Sequence, residues 1–139
     1  MNRSPMNKPT TPRKQSTGIA PPQGRLGVLI PGMGAVATTL IAGVYLIVKR
    51  QGQPFGSLTQ MQKIQIGNCE NSRFIAIKDL VHLAEPSDLV FGGWDITPEN
   101  AYQTACNVGV LDQHMLGKVR LELEAIAPWR GVFDQAYVR

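Results

Sequence analysis

An α/β fold built around a parallel sheet is predicted by three features of this 139-residue sequence. Short apolar runs alternate with helical patterns, the order that builds a parallel sheet. The longest uncharged stretch, residues 26–48, is interrupted near its start by Pro31, Gly32 and Gly34. A later apolar run, D-L-V-F-G-G-W-D-I at 88–96, carries a glycine pair and then an acid. The carboxyl ends of such strands are where open α/β sheets bind ligands.

Taken in order, residues 1–24 are basic, rich in Pro and Thr, and nearly free of large apolar groups. They bury too little surface to offset the entropy of ordering, so a disordered tail is expected there. Residues 25–139 form the domain. L-G-V-L-I is a short strand, read as buried on both faces, and Pro31-Gly32 ends it. A helix follows over 35–50, with Val36, Leu40, Val44 and Ile47 on one stripe and Ala37, Ile41 and Val48 beside it. Lys49 and Arg50 fall in its last turn, where cations suit the negative end. Q-G-Q-P-F-G-S-L-T-Q is a loop by its glycines and proline. M-Q-K-I-Q-I-G is a short strand. F-I-A-I-K-D-L-V-H-L-A-E-P runs from an extended piece into a short helix stopping before Pro86. The run at 88–96 is a buried strand. Thr97 then reads as an N-cap with Pro98 at the first helical position. The helix after it closes at Gly109, and residues 111–127 form one more helix, ended by Pro128.

The formal net charge is +4, yet all ten acids lie from Glu70 onward and residues 1–69 carry eight Lys/Arg. Only three of those eight flank the apolar run, so the asymmetry is read as a solvated tail before a charge-poor segment, with no nucleic-acid surface. Cys69 and Cys106 stand in no metal or redox spacing. They are expected to be buried, inert thiols of a reducing compartment. His82 and His114 are isolated, and no metal site is expected.

The uncharged run is long enough to span a bilayer, which takes about 20 apolar residues. Its glycines argue otherwise. Pro31, Gly32 and Gly34 would break a spanning helix near one interface. The remaining helix, at 1.5 Å per residue, reaches only about 21 Å. No membrane association is therefore expected. The same residues suit a strand-to-helix turn of the G-x-G-x-x-A kind. Gly32 allows the bend, Gly34 lets the backbone approach a diphosphate, and Ala37 permits close helix packing. Helix N–H groups then face the phosphates, and Thr38 and Thr39 could add hydroxyl donors. Read from the residues alone, a glycine turn that binds nothing is equally open. The acid that usually follows such a turn by about 20 residues is missing, because Q-G-Q-P-F-G occupies that place. Asp95, after the second apolar strand, is the substitute, either as a ribose-holding group or as a cap on the next helix.

G-x-G-A-V-A-T-T at 32–39, F-G-S-L-T-Q at 55–60, D-L-V-F-G-G-W-D-I at 88–96, N-A-Y at 100–102 and V-F-D-Q-A-Y-V at 132–138 occur in this order. Together they resemble the bacterial form of the myo-inositol-1-phosphate synthase (inositol-3-phosphate synthase) family, from about residue 25 to the last. The resemblance implies a Rossmann-like NAD-binding domain, incomplete at the C-terminus. It implies NAD held by Gly32, Met33, Gly34, Ala35 and Val36 at the pyrophosphate, and by Asp95 at the adenosine ribose. It also implies the family's reaction, glucose 6-phosphate to inositol 3-phosphate. That reaction runs by oxidation at C5, intramolecular aldol attack on C1 and return of the hydride. A cytoplasmic homo-oligomer, a tetramer in the full-length family, is implied too. The family's catalytic lysines lie beyond the point matching Arg139, and Lys49, Lys63, Lys78 and Lys118 do not match them. No catalytic residue is expected within this chain, which reads as an N-terminal fragment inactive by itself. Ser57, Thr59 and Gln60 are expected to be structural.

Overall fold

The computed structural model describes residues 23–68, 71–81, 83–132 and 136. Cys69, His82, most of the tail at 1–24 and much of the V-F-D-Q-A-Y-V segment lie outside the described residues.

The uncharged run divides at its glycines. Strand β1, Leu26–Pro31, ends at Gly32, whose φ of +92° is a conformation natural to glycine. Helix α1, Ala35–Val48, starts three residues later. No helix among the described residues is long and apolar enough to cross a membrane. Two short helices, α2 (Leu58–Met61) and α3 (Ile77–Leu80), accompany strands β2 (Lys63–Ile66) and β3 (Arg73–Ala76). Strand β4, Leu89–Asp95, is followed by α4 (Ala101–Val108), α5 (Gln113–Lys118), α6 (Arg120–Glu124) and β5 (Trp129–Arg130).

The main sheet has the order β1-β4-β5, with both pairings parallel. The α/β class and its parallel sheet are as expected. Strands β2 and β3 stand apart as an antiparallel pair, a hairpin that the alternating pattern did not separate from the main sheet. The β1–β4 register sets Pro31 opposite Trp94, so the carboxyl ends of both strands finish together.

One face of the sheet meets the core. Val28 and Ile30 of β1 and Leu89 and Phe91 of β4 pack with Met33, Ala37, Ile41, Leu46, Ala101, Ala105, Leu116, Val119, Leu123 and Ile126. The opposite face is open, with Leu29 58% and Trp129 54% exposed. The expectations that β1 is buried on both faces and that β4 is a buried strand therefore hold for one face only, because α1, α4, α5 and α6 all pack into one core on one side.

Three helix assignments change. In α1 the buried residues are Ala37, Thr38, Ile41, Ala42 and Leu46, while Val36 and Leu40 are exposed. The helix is apolar nearly all round, so periodicity alone could not choose its inner face. It ends at Val48; Lys49 caps it and Arg50 turns to φ +59°, so neither cation lies in the last turn. Helix α4 is capped by Asn100, not Thr97. Asn100 Oδ1 accepts the Gln103 N–H and Gln103 Oε1 accepts the Asn100 N–H, a reciprocal box. Its other end is as expected, with Gly109 left-handed at φ +67°. The single helix over 111–127 is two pieces, broken at Val119 with φ −119°. The break brings Leu116, Val119 and Leu123 to one core, each with 0% exposure.

Candidate functional site

At the joined ends of β1 and β4 lies an open groove of about 650 Å³. Pro31, Gly32, Gly34, Ala35, Val36 and Ala37 form one wall; Trp94, Asp95, Ile96 and Gly131 form the other. Five of the six residues expected at a cofactor thus line one cavity. The sixth, Met33, lies beneath it, 2% exposed.

The turn is built by two ties to β4. The Gly32 N–H donates to the Trp94 carbonyl at 2.7 Å. The Met33 N–H donates to Asp95 Oδ2, also at 2.7 Å. Below them Gly93 leaves room for both Ile30 and Met33. A Cβ on Gly93 would stand 2.0 Å from the Ile30 carbonyl oxygen and 2.7 Å from the Met33 sulfur. Gly93, the second of the glycine pair in β4, is thus a packing requirement of the turn.

With those two N–H groups engaged, the following donors belong to the helix start. The first intrahelical carbonyl used is that of Gly34, which accepts the Thr38 N–H at 3.0 Å. The N–H groups of Gly34, Ala35, Val36 and Ala37 precede any such bond and have no partner within the helix. They open at the positive end of a 14-residue helix, which favours an anion. No acid lies in the first turn of α1. Gly34 has an ordinary φ of −77°, and a Cβ added there would meet nothing within 4 Å. A side chain at Gly34 would therefore enter space that no other group of the protein fills. Donor set and cradle both fit a diphosphate.

The threonines do not contribute as expected. Thr38 is fully buried and its hydroxyl donates back to the Gly34 carbonyl at 3.0 Å. Thr39 faces a different groove, beside Phe55, Ser57, Thr59 and Gln60. Ala37 is buried, as close helix packing requires.

Asp95 uses its two oxygens separately. Oδ2 accepts from Met33, and Oδ1 accepts the Thr97 N–H at 2.9 Å. The Thr97 bond is the main reason its carboxyl sits below the ordinary value of 3.8; the Met33 bond adds to it, while desolvation opposes both. The carboxylate is therefore charged at neutral pH. Each oxygen keeps a second lone pair for a hydroxyl donor.

Sequence reading missed the Met33–Asp95 bond, which joins residues 62 apart. It also missed the place of Gly131, whose N–H donates to the Asp95 carbonyl at 2.7 Å. Only the strand register reveals either. Of the other expected residues, Cys106 is a free thiol, half-buried rather than buried, because it sits beside the Ala101 and Ala105 face that α4 turns to the core. Lys49 is committed elsewhere: its Nζ donates to the Lys118 carbonyl and pairs with Glu122. His114 is exposed and remote from the groove.

A family model described as myo-inositol-1-phosphate synthase, an NAD-binding domain, matches residues 26–139. Inositol-3-phosphate synthase 1 from Bacteroides thetaiotaomicron is 45% identical over 122 residues, covering 87% of this chain and 28% of that protein. A rice protein of the same name (Oryza sativa subsp. japonica) is 34% identical over 128 residues, covering 82% of this chain and 25% of its own. The crystal structure of inositol-3-phosphate synthase from Caenorhabditis elegans matches with a TM-score of 0.68 at 24% identity, over 81% of this chain and 25% of that one. This last likeness is one of fold. The chain spans about a quarter of the length of these relatives.

Proposed function

The chain belongs to the myo-inositol-1-phosphate synthase family, and on that premise we propose that it is the NAD-holding part of an inositol-3-phosphate synthase. The enzyme so formed is an isomerase that turns glucose 6-phosphate into inositol 3-phosphate in the cytoplasm, as a homo-oligomer. The observation that carries the reading is the cradle itself. Gly32 bends the chain, Gly34 leaves open space, and unpaired helix N–H groups line that space. Asp95 stands across the groove at the end of the neighbouring strand.

In this proposal the N–H groups from Gly34 onward hold the pyrophosphate, with the helix dipole favouring its charge. Gly32 and Met33 shape the turn. The Asp95 carboxylate accepts from the adenosine ribose hydroxyls. When bound, NAD supplies a hydride acceptor that later returns the hydride, so it is not consumed overall. The residues of this chain bind and orient. Among the described lining residues the titratable side chain is Asp95, and its low pKa keeps it an acceptor. The groups that move protons on the sugar are assigned to sequence outside the matched quarter.

Titration of the 139-residue chain with NAD, followed by calorimetry, tests the reading. Saturable one-site binding that is lost in Gly34→Ala is expected. Incubation with NAD and glucose 6-phosphate should yield no inositol phosphate from this chain alone. No NAD binding by a folded chain would sink the cofactor assignment.

A further inference from the structure

We infer that Asp95 is a positioning residue for the glycine turn: Oδ2 ties the turn to the end of β4 while Oδ1 is held by the Thr97 N–H, and the carboxylate so fixed aims the helix N–H groups at the diphosphate. The inference rests on the NAD reading above and adds a second task to a residue so far assigned only to the ribose.

Three observations converge on Met33. Its N–H is held by Asp95 Oδ2 at 2.7 Å, its side chain is 2% exposed, and its sulfur fills the space over Gly93. Gly32, one residue before, is fixed by the Trp94 carbonyl at 2.7 Å. Trp94 and Asp95 are consecutive, so two adjacent residues of β4 hold two adjacent N–H groups of the turn. Asp95 is itself oriented from the other side, where Oδ1 accepts from Thr97 at 2.9 Å. Helix α1 begins two residues after Met33. The direction of its first N–H groups therefore depends on where Met33 is pinned.

An acid beside a diphosphate site is costly by charge alone. A carboxylate that held only ribose hydroxyls could be exchanged for an amide with modest loss. A carboxylate whose two oxygens each accept a backbone N–H could not. An amide has one acceptor oxygen and presents a donor at the other position. Asp95→Asn must therefore set an NH₂ group against the N–H of either Met33 or Thr97.

The test uses the whole 139-residue chain, wild type and Asp95→Asn, with two measurements. Amide hydrogen exchange at Met33 is read without ligand. Affinity is then read for NAD and for an NAD analogue whose adenosine ribose lacks both hydroxyls. The expected result is Met33 exchange faster by about tenfold or more in the variant. Both ligands should also weaken by about tenfold, because the loss does not depend on ribose hydroxyls. Unchanged Met33 exchange overturns the inference. So does a variant that weakens NAD but binds the analogue as the wild type does, for then Asp95 acts on the ribose alone. A wild-type chain that binds no NAD fails the cofactor reading, a result separate from the exchange measurement, which still decides the tie. Should Asp95→Asn not fold, Asp95→Ser, with a single acceptor oxygen on a shorter arm, gives the same two readings.

Discussion

Gly32 and Gly34 stand two positions apart and make opposite demands on a side chain. Gly32 has φ +92°, so Gly32→Ala strains the backbone whatever space surrounds it. The expected loss of stability in urea is about 1–3 kcal/mol. Gly34 has φ −77° and open space around its missing Cβ. Gly34→Ala should keep the unfolding free energy in urea to within about 0.5 kcal/mol and weaken NAD binding by tenfold or more, since the methyl enters the phosphate space. Equal destabilisation by both would contradict the geometry. Asp95 adds a pH dependence. Its folded pKa lies below 3.8, chiefly through the Thr97 N–H. The stabilisation from that shift is present above the unfolded value and disappears as pH falls through the folded one. Urea midpoints should therefore stay level in this respect near neutrality and drop below about pH 4. Asp95→Asn should lack that component of the drop. The roles of the two glycines could be written from the sequence because each follows from the absence of a Cβ. The Asp95–Met33 bond could not, since nothing local in G-G-W-D says which backbone N–H lies opposite.

Helix ends were legible where a side chain and a backbone group close a local loop. Gly109 is one case: the sequence places the end of the helix there, and the structure gives that glycine a left-handed conformation. Asn100 with Gln103 closes such a loop too, but it was missed, because Thr97-Pro98 offers a competing cap signal three residues earlier. That signal lost because the helix starts only at Ala101, three residues beyond the place where Thr97 would cap it. The inner face of α1 was not legible, since nearly every position is apolar and only tertiary packing chooses among them. The same holds for the join between α1 and the last two helices. Lys49 follows α1, donates to the Lys118 carbonyl at 2.7 Å, and pairs with Glu122 Oε1 at 2.6 Å. That pairing is the first reason the Glu122 carboxyl lies below its ordinary range. Glu122 Oε2 is buried without a partner, so removing Lys49 leaves a half-sheltered charge unbalanced. Lys49→Met is expected to cost about 1–2 kcal/mol. Adding Glu122→Gln should recover part of that loss, which a double-mutant cycle in urea measures. Additive losses would mean the pair carries no coupling.

A parallel sheet ordinarily has both faces covered, and here the alternation along the strands makes the uncovered face explicit. Val28, Ile30 and Phe91 point to the core, while Leu29, Val90 and Trp94 on the same strands are exposed. Trp129 of β5 extends the open face; its ring lies over Gly92 and 5.1 Å from that of Trp94. The sequence showed these runs as apolar on both sides, which is the pattern of a sheet meant to be covered twice. The chain accounts for about a quarter of its relatives' length, and what it contains supplies one layer of helices. Apolar patches of this kind drive association when nothing covers them. The chain alone should therefore sediment as a concentration-dependent mixture of monomer and larger species. Its tryptophan emission should blue-shift as association proceeds, because Trp94 and Trp129 lie within the patch. Leu29→Lys places a charge on that face from the edge strand β1, beside Gly92, at a site already 58% exposed. It should shift the sedimentation profile toward monomer and leave the thermal midpoint within about 3 °C. NAD affinity should not change, because the groove opens at the strand ends and Leu29 is not among its lining residues. A wild-type chain that stays monomeric across the concentration series, with red-shifted emission throughout, would show that water covers the face without penalty and would refute the prediction.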